Sequence, residues 1–219
     1  IKQSFMTAFF MLMKNMNKIA LIYMGGTFGC IGEPLSPMPE STFIPQLQRL
    51  LPTKFHNTVS CFQAPSVKDS SACTAQDWLQ LIQQIQTLQG QNFQHFVIIH
   101  GTDTLSYAAA TLSRFLADSC HVVLTGSQYP LLNVQGNTPR EFTVAMDNLN
   151  TSLDAVLKLP LGVYLAFSHQ VIHARTAMKA HSTDLDAFRG LKTDQNIAID
   201  RQAIQVKLSH IERAKSLNI

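Results

Sequence analysis

The stretch Phe96-Val97-Ile98-Ile99-His100-Gly101-Thr102-Asp103-Thr104-Leu105-Ser106-Tyr107 decides the fold. Its four apolar, mostly β-branched residues read as a buried strand, and the polar run broken by Gly101 marks the strand's C-terminal end. Leu105, Ala108, Ala109, Leu112, Phe115 and Leu116 then recur at helical spacing, so strand, polar loop and amphipathic helix follow one another. Open α/β sheets hold their ligands outside the carboxyl ends of the strands, which makes His100 to Thr104 the first place to look for chemistry.

The same unit recurs on both sides. Upstream, Lys18 to Tyr23 reads as a first strand that runs into Met24-Gly25-Gly26-Thr27-Phe28-Gly29. That glycine loop lacks the G-x-G-x-x-G spacing, and no helical pattern follows it directly, so it is not a dinucleotide fingerprint. Pro34, Pro37 and Pro39 instead predict a loop lying over the site. A helix is expected from Phe43 to Leu51, with Pro45 in its first turn and Pro52 ending it, and a strand from Val59 to Phe62 leads into Lys68-Asp69-Ser70-Ser71. Thr74 opens the next helix, which Gly90 stops.

Downstream, His121 to Leu124 is a strand closing in Thr125-Gly126-Ser127-Gln128, Phe142 to Leu157 is helical in pattern, and Leu161 to Phe167 is a further strand. Strand and helix alternating in this way predict an α/β fold: an open, mostly parallel, Rossmann-like sheet with helices on both faces. Beyond Phe188 the pattern loosens, and Ala203 to Leu208 is at best a short strand.

At 219 residues and 46% hydrophobic, the chain can bury one substantial core. Its net charge of +3 comes from scattered Lys and Arg rather than a stripe, which leaves no footprint for nucleic acid or an anionic membrane. Cys30, Cys61, Cys73 and Cys120 form no C-x-x-C pair and no partnered histidine spacing, so reduced thiols in a reducing compartment are expected rather than a zinc or redox site. Near the start, the apolar run Phe5 to Met13 is too short to span a bilayer and meets Lys14 with no small-residue cleavage site. Residues 1–17 therefore read as an upstream extension before a natural start at Met16 rather than as a secretion signal.

The strand ends deliver Thr27, Asp69, Ser70, Ser71, Thr102, Asp103 and Ser127 to one edge of the sheet. Such a set suits acyl transfer: a hydroxyl nucleophile, a group able to take its proton, and backbone amides for the oxyanion. A buried, neutral lysine such as Lys179 is one candidate acceptor. Each residue also has a plain structural use. A threonine after two glycines is a common turn residue, Thr102 and Asp103 are good helix caps, and Lys179 is ordinarily a solvated charge. His100 and His181 are expected to be structural rather than metal ligands, and Trp78 to be core.

Taken in order, Tyr23-Met24-Gly25-Gly26-Thr27-Phe28-Gly29, Asp69-Ser70-Ser71, His100 to Tyr107, Thr125-Gly126-Ser127-Gln128 and Thr176-Ala177-Met178-Lys179-Ala180-His181 resemble the motifs of bacterial-type L-asparaginases, in particular the cytoplasmic type I branch. The resemblance covers Lys18 to Phe188 and implies the N-terminal catalytic domain of a homo-oligomeric hydrolase that uses no metal or organic cofactor. It implies Thr27 as the nucleophile that takes the asparagine side-chain amide. Thr102 and Lys179 match the proton-transfer pair, and Asp103 matches the partner of the substrate α-ammonium. Ser70, with Ser71 beside it, matches the α-carboxylate contact, and Gly26, Asp69 and Ser127 complete the substrate pocket.

The chain departs from that pattern in three places. Phe28 to Glu40 lacks the tyrosine that type I enzymes usually carry there, Pro130 to Asp147 lacks the usual acidic residue before a glycine, and a second, smaller domain is not included. The expected organisation is an extension at 1–17, a catalytic domain at 18–190, and a linker at 191–219 toward that further domain. Two other functions fit the same motifs: a glutamine amidohydrolase such as an amidotransferase subunit, and a non-catalytic amino-acid-binding module.

Overall fold

The computed structural model describes residues 18–195 and 202–216; the N-terminal extension lies outside the described residues. In chain order the elements are β1 (Ile19–Tyr23), a small hairpin of β2 (Cys30–Ile31) and β3 (Ser36–Pro37), α1 (Glu40–Leu50), β4 (Val59–Gln63) and α2 (Ala75–Gln89). There follow β5 (His95–Ile99), α3 (Leu105–Leu116), β6 (His121–Thr125), α4 (Ala145–Val156), β7 (Gly162–Phe167), β8 (Gln170–His173), β9 (Met178–Lys179), β10 (Phe188–Arg189) and α5 (Leu208–Ser216).

Six strands form one sheet in the order β4-β1-β5-β6-β7-β8. The first five run parallel, and β8 turns back antiparallel on β7. The expected open, mostly parallel α/β sheet is therefore the fold. Because successive strand residues point to opposite faces, a strand covered on both sides must be apolar throughout. In β1, Ala20 and Ile22 pack with α2, α3 and α5, while Ile19, Leu21 and Tyr23 pack with α1 and α4.

Local chemistry sets the helix limits. Thr74 and Asp77 form a capping box at the start of α2, satisfying orphan amides at that end. Helix α1 begins at Glu40, earlier than its apolar spacing suggests, so Pro45 falls inside it; burial of Phe43 and Leu47 holds the helix there in spite of the lost donor.

The C-terminal region departs from the sequence expectation. Residues 203–208 are not a strand; the backbone there is irregular until α5. The Gln86 side chain takes the place of a neighbouring strand, its Nε2 donating to Ile204 O at 2.8 Å and its Oε1 accepting from Val206 N at 3.0 Å. Ile211 then buries α5 into the same core as α2. The segment 30–37, expected as a loop, closes as the β2–β3 hairpin. Cys30, Cys61, Cys73 and Cys120 are all free thiols. No described helix is long and apolar enough to cross a membrane.

Candidate active site

The strand order places four loops side by side: 68–71 after β4, 24–27 after β1, 100–103 after β5 and 125–128 after β6. Backbone bonds join them, with Gly26 N donating to Lys68 O at 3.2 Å, Met24 N to Ile99 O at 2.9 Å and His100 N to Thr125 O at 2.8 Å. Their spacing is set by backbone contact. A Cβ on Gly26 would lie 2.3 Å from the Gly101 Cα, and Gly26 has φ +82°, so only glycine fits there. That close approach sets the loops that carry Thr27 and Thr102 directly against each other.

Thr102 is the centre of a hydrogen-bond network. Lys179 Nζ donates to Thr102 Oγ1 at 3.0 Å and to Asp103 Oδ1 at 2.8 Å, and Thr102 Oγ1 donates to Gln128 Oε1 at 3.1 Å. Lys179 reaches the cleft from β9, which is paired with β10 through Lys179 and Phe188. The buried Ser70 ties this cluster to the next loop: its Oγ accepts from Asp103 N at 3.2 Å, and its carbonyl accepts from Thr104 Oγ1 at 2.8 Å.

Asp69 accepts from both the amide and the hydroxyl of Ser71, at 2.8 and 2.6 Å. Those two bonds hold its carboxyl below the usual carboxylate range. Thr27 is placed differently. It is half-buried on a short 3-10 turn, Thr27–Gly29, and its hydroxyl makes no hydrogen bond among the described residues. Ser127 is buried and accepts from Tyr129 N at 3.2 Å, within its own loop.

His100 braces the cleft from below. Trp78 Nε1 donates to its Nε2 at 3.2 Å, so the ring proton sits on Nδ1 and is given to Gly101 O at 2.8 Å. Burial holds this imidazole below its ordinary pKa and keeps it neutral, as a structural histidine. Beside Lys179 a groove of about 510 Å³ opens between Asp103, Ser106 and Tyr107 on one side and residues 178–182 on the other.

A family model for the N-terminal domain of asparaginases matches residues 18–212. The chain belongs to the asparaginase family. It is 30% identical over 176 residues to L-asparaginase 1 of Escherichia coli K12, covering 78% of this chain and 49% of that protein. Its fold matches L-asparaginase I of Vibrio cholerae with a TM-score of 0.67 at 27% identity, covering 87% of this chain and 57% of that one. A probable cytoplasmic L-asparaginase of Campylobacter jejuni matches with a TM-score of 0.59 at 26% identity, over 80% of this chain and 50% of its own. The chain thus spans about half the length of the curated asparaginase it matches.

Within this asparaginase-family site the structure links Ser70, Thr102, Asp103 and Lys179 directly and sets Gly26 against Gly101. It pairs Asp69 with Ser71 and leaves Thr27 and Ser127 outside the network. Three supporting residues escaped the sequence reading. Gln128 reads in the sequence only as the end of Thr125-Gly126-Ser127-Gln128. Asn148, buried on α4, donates to Gly126 O at 2.9 Å and accepts from Ser168 N at 2.8 Å. Lys68 pairs with Asp77 at 3.0 Å and so ties the 68–71 loop to the start of α2. A polar residue in an otherwise apolar helix face, as Asn148 is between Ala145 and Leu149, was the one signal available.

Proposed function

We propose that the whole protein is an asparaginase-type amidohydrolase converting L-asparagine and water to L-aspartate and ammonia. The observation that carries this reading is the contact of Lys179 with both Thr102 and Asp103, in a family whose name describes the reaction. Thr27 Oγ attacks the side-chain carboxamide carbon, giving its proton to a base; the C–N bond breaks and ammonia leaves with a proton. Water, oriented by Thr102 with Lys179 as proton acceptor, then cleaves the Thr27 ester, releasing aspartate and restoring the threonine. Asp103 holds the substrate α-ammonium, Ser70 and Ser71 hold the α-carboxylate, and Gly26, Asp69 and Ser127 line the remainder.

On this reading residues 18–190, together with α5 packed into the same core, form the catalytic domain, and the working form is a cytoplasmic homo-oligomer that needs no cofactor. The coverage of about half the E. coli relative supports a second domain, and the Campylobacter match supports the compartment. Ammonia release from L-asparagine by the whole protein is the test, with L-glutamine in parallel. Loss of release in both Thr27→Ala and Thr102→Ala is expected; full turnover in both variants would sink the assignment. Faster turnover of glutamine than of asparagine would move the substrate to the longer amide.

A further inference from the structure

The Thr27 hydroxyl makes no hydrogen bond among the described residues, so its position rests on the backbone of the turn that carries it. Residues 131–140, which follow the 125–128 loop, meet that backbone and the hairpin beyond it at several points. Leu131 N donates to Phe28 O at 2.9 Å, and Gly32 N donates to Val134 O at 3.2 Å. Gly136, buried and at φ +70°, lies against both sides of the β2–β3 hairpin: a Cβ there would be 2.6 Å from Met38 Cε and 3.3 Å from Ile31 Cδ1. From α1, Gln46 Nε2 donates to Gly136 O at 2.7 Å.

We propose that the 131–140 segment is a clamp that holds the Thr27 turn in place, with Asn133 and Gln46 as its positioning residues. The segment is a closed turn of its own. Leu132 and Pro139 form a bridge, and Asn133 N donates to Thr138 O and Gly136 N to Asn133 O, both at 2.9 Å. The Asn133 side chain braces the tip, its Oδ1 accepting from Asn137 N at 3.1 Å and its Nδ2 donating to Asn137 Oδ1 at 3.0 Å. Leu131 and Leu132 are buried in the same core as Phe28, Met38 and Phe43, which anchors the base. The hairpin on the other side is joined through only two residue pairs, Cys30 with Pro37 and Ile31 with Ser36, and so short a ribbon does not hold itself. Without the clamp, Phe28 O and Gly32 N return to water, and the turn loses the direction in which it presents Thr27. The effect on turnover rests on the role proposed above for Thr27.

Two substitutions open the clamp, and a third restores it. Asn133→Ala removes the brace at the tip, and Gln46→Met removes the tie to α1 at nearly constant length. Asn133→Asp keeps the acceptor for Asn137 N, and the Asn137 amide can turn its NH2 toward the new carboxylate, so this variant is the rescue. Two measurements are made on the whole protein. One is amide hydrogen exchange in peptides within residues 28–38, read by mass spectrometry, which needs no activity. The His100 amide, bonded to Thr125 O in the neighbouring loop, is the control. The other is kcat and KM for L-asparagine.

For the Asn133→Ala, Gln46→Met double variant, exchange in 28–38 is expected to be about tenfold faster or more, with the His100 amide unchanged. Its kcat is expected to fall about tenfold or more while KM changes less than about threefold, because the residues proposed to hold the substrate stay where they are. Asn133→Asp is expected to keep the exchange and the kcat of the parent. A turn that served only overall stability would speed exchange at His100 as well and would not separate kcat from KM; that result overturns the proposal. Unchanged exchange in 28–38 overturns it too, as does faster exchange there with the parent's kcat. If the unmodified protein releases no ammonia, the asparaginase assignment fails, and exchange alone decides: acceleration confined to 28–38 upholds the clamp, and none overturns it.

Discussion

Thr27 and Thr102 each follow a glycine, and those two glycines touch, yet the hydroxyls meet opposite surroundings. Thr102 is nearly buried and bonded to Lys179 and Gln128, whereas Thr27 is half-buried and bonded to no described side chain. The backbone of the Thr27 turn is as firmly held as its counterpart: Gly29 N donates to Gly26 O, Leu131 N to Phe28 O and Met38 N to Gly29 O. The difference therefore lies in side-chain wiring. A pre-bonded hydroxyl has its direction fixed before substrate arrives, which suits a group that must hold and steer a water. A free hydroxyl on a fixed backbone is open to a partner brought by substrate or by another part of the whole protein.

The contrast predicts a ranking of effects. The largest belongs to the contact that both halves share. Gly26→Ala would drive a Cβ to 2.3 Å from the Gly101 Cα and 2.6 Å from its amide nitrogen, at a left-handed φ. Neither atom can yield without moving a strand end, so a loss of about 3 kcal/mol or more in unfolding free energy is expected. Urea denaturation checks it; a loss below about 1 kcal/mol would mean that the two loops are not locked together.

Next is Lys179→Met, which unwires the Thr102 half alone. Loss of the proposed proton acceptor is expected to lower kcat for asparagine by about 100-fold to 10,000-fold. Stability should fall by less than about 1 kcal/mol, because the Lys179 side chain is 15% exposed but its partner Asp103 is 59% exposed. A variant that loses stability and activity in proportion would assign Lys179 a structural role instead.

A smaller effect sets the two threonines directly against each other. Thr102→Ala removes two hydrogen bonds from a buried site and should cost about 1–2 kcal/mol, while Thr27→Ala removes none and should stay within about 0.5 kcal/mol. Both should stop turnover. Equal losses of stability would erase the distinction between a wired and an unwired hydroxyl.

The sequence carried the sheet because the central strands β1, β5, β6 and β7 are largely apolar on both faces and run into glycine-bearing or polar loops, patterns that are local. His100 to Thr104 and the glycine loop before Thr27 were legible for the same reason. What was not legible depends on partners far away along the chain. Gln128 bonds Thr102, Ser182 and Asp184. Nothing in its neighbours distinguishes it from a solvated loop glutamine. The segment 203–208 looks like a strand by residue type, but its pairing partner is the Gln86 side chain, which no periodicity reveals. Antiparallel β8 was missed because it follows β7 too closely for the expected helical crossover.

The last and smallest effect lies at the far end of the same strands. β5 and β6 end at the cleft but begin with His95 and His121, which are paired across the sheet and stacked with ring centroids 4.7 Å apart. Burial, and next the neighbouring His121, hold His95 below its ordinary pKa against the opposing pull of a bond at Lys18. Above about pH 6.5 both folded and unfolded chains carry a neutral ring there, and the full stability is present. As pH falls through that value the unfolded chain takes up the proton first, so stability is lost down to the lower pKa of the folded state. His100, also held low by burial, acts in the same direction at the cleft end. His95→Phe keeps a flat ring on His121 and removes one of the two contributions, so melting temperature should fall less steeply between pH 7.5 and 5 than in the parent. The pH profile of asparagine turnover should not move, since the substitution lies at the opposite edge of the sheet. A melting-temperature slope equal to the parent's would show that His95 contributes nothing to the acid sensitivity.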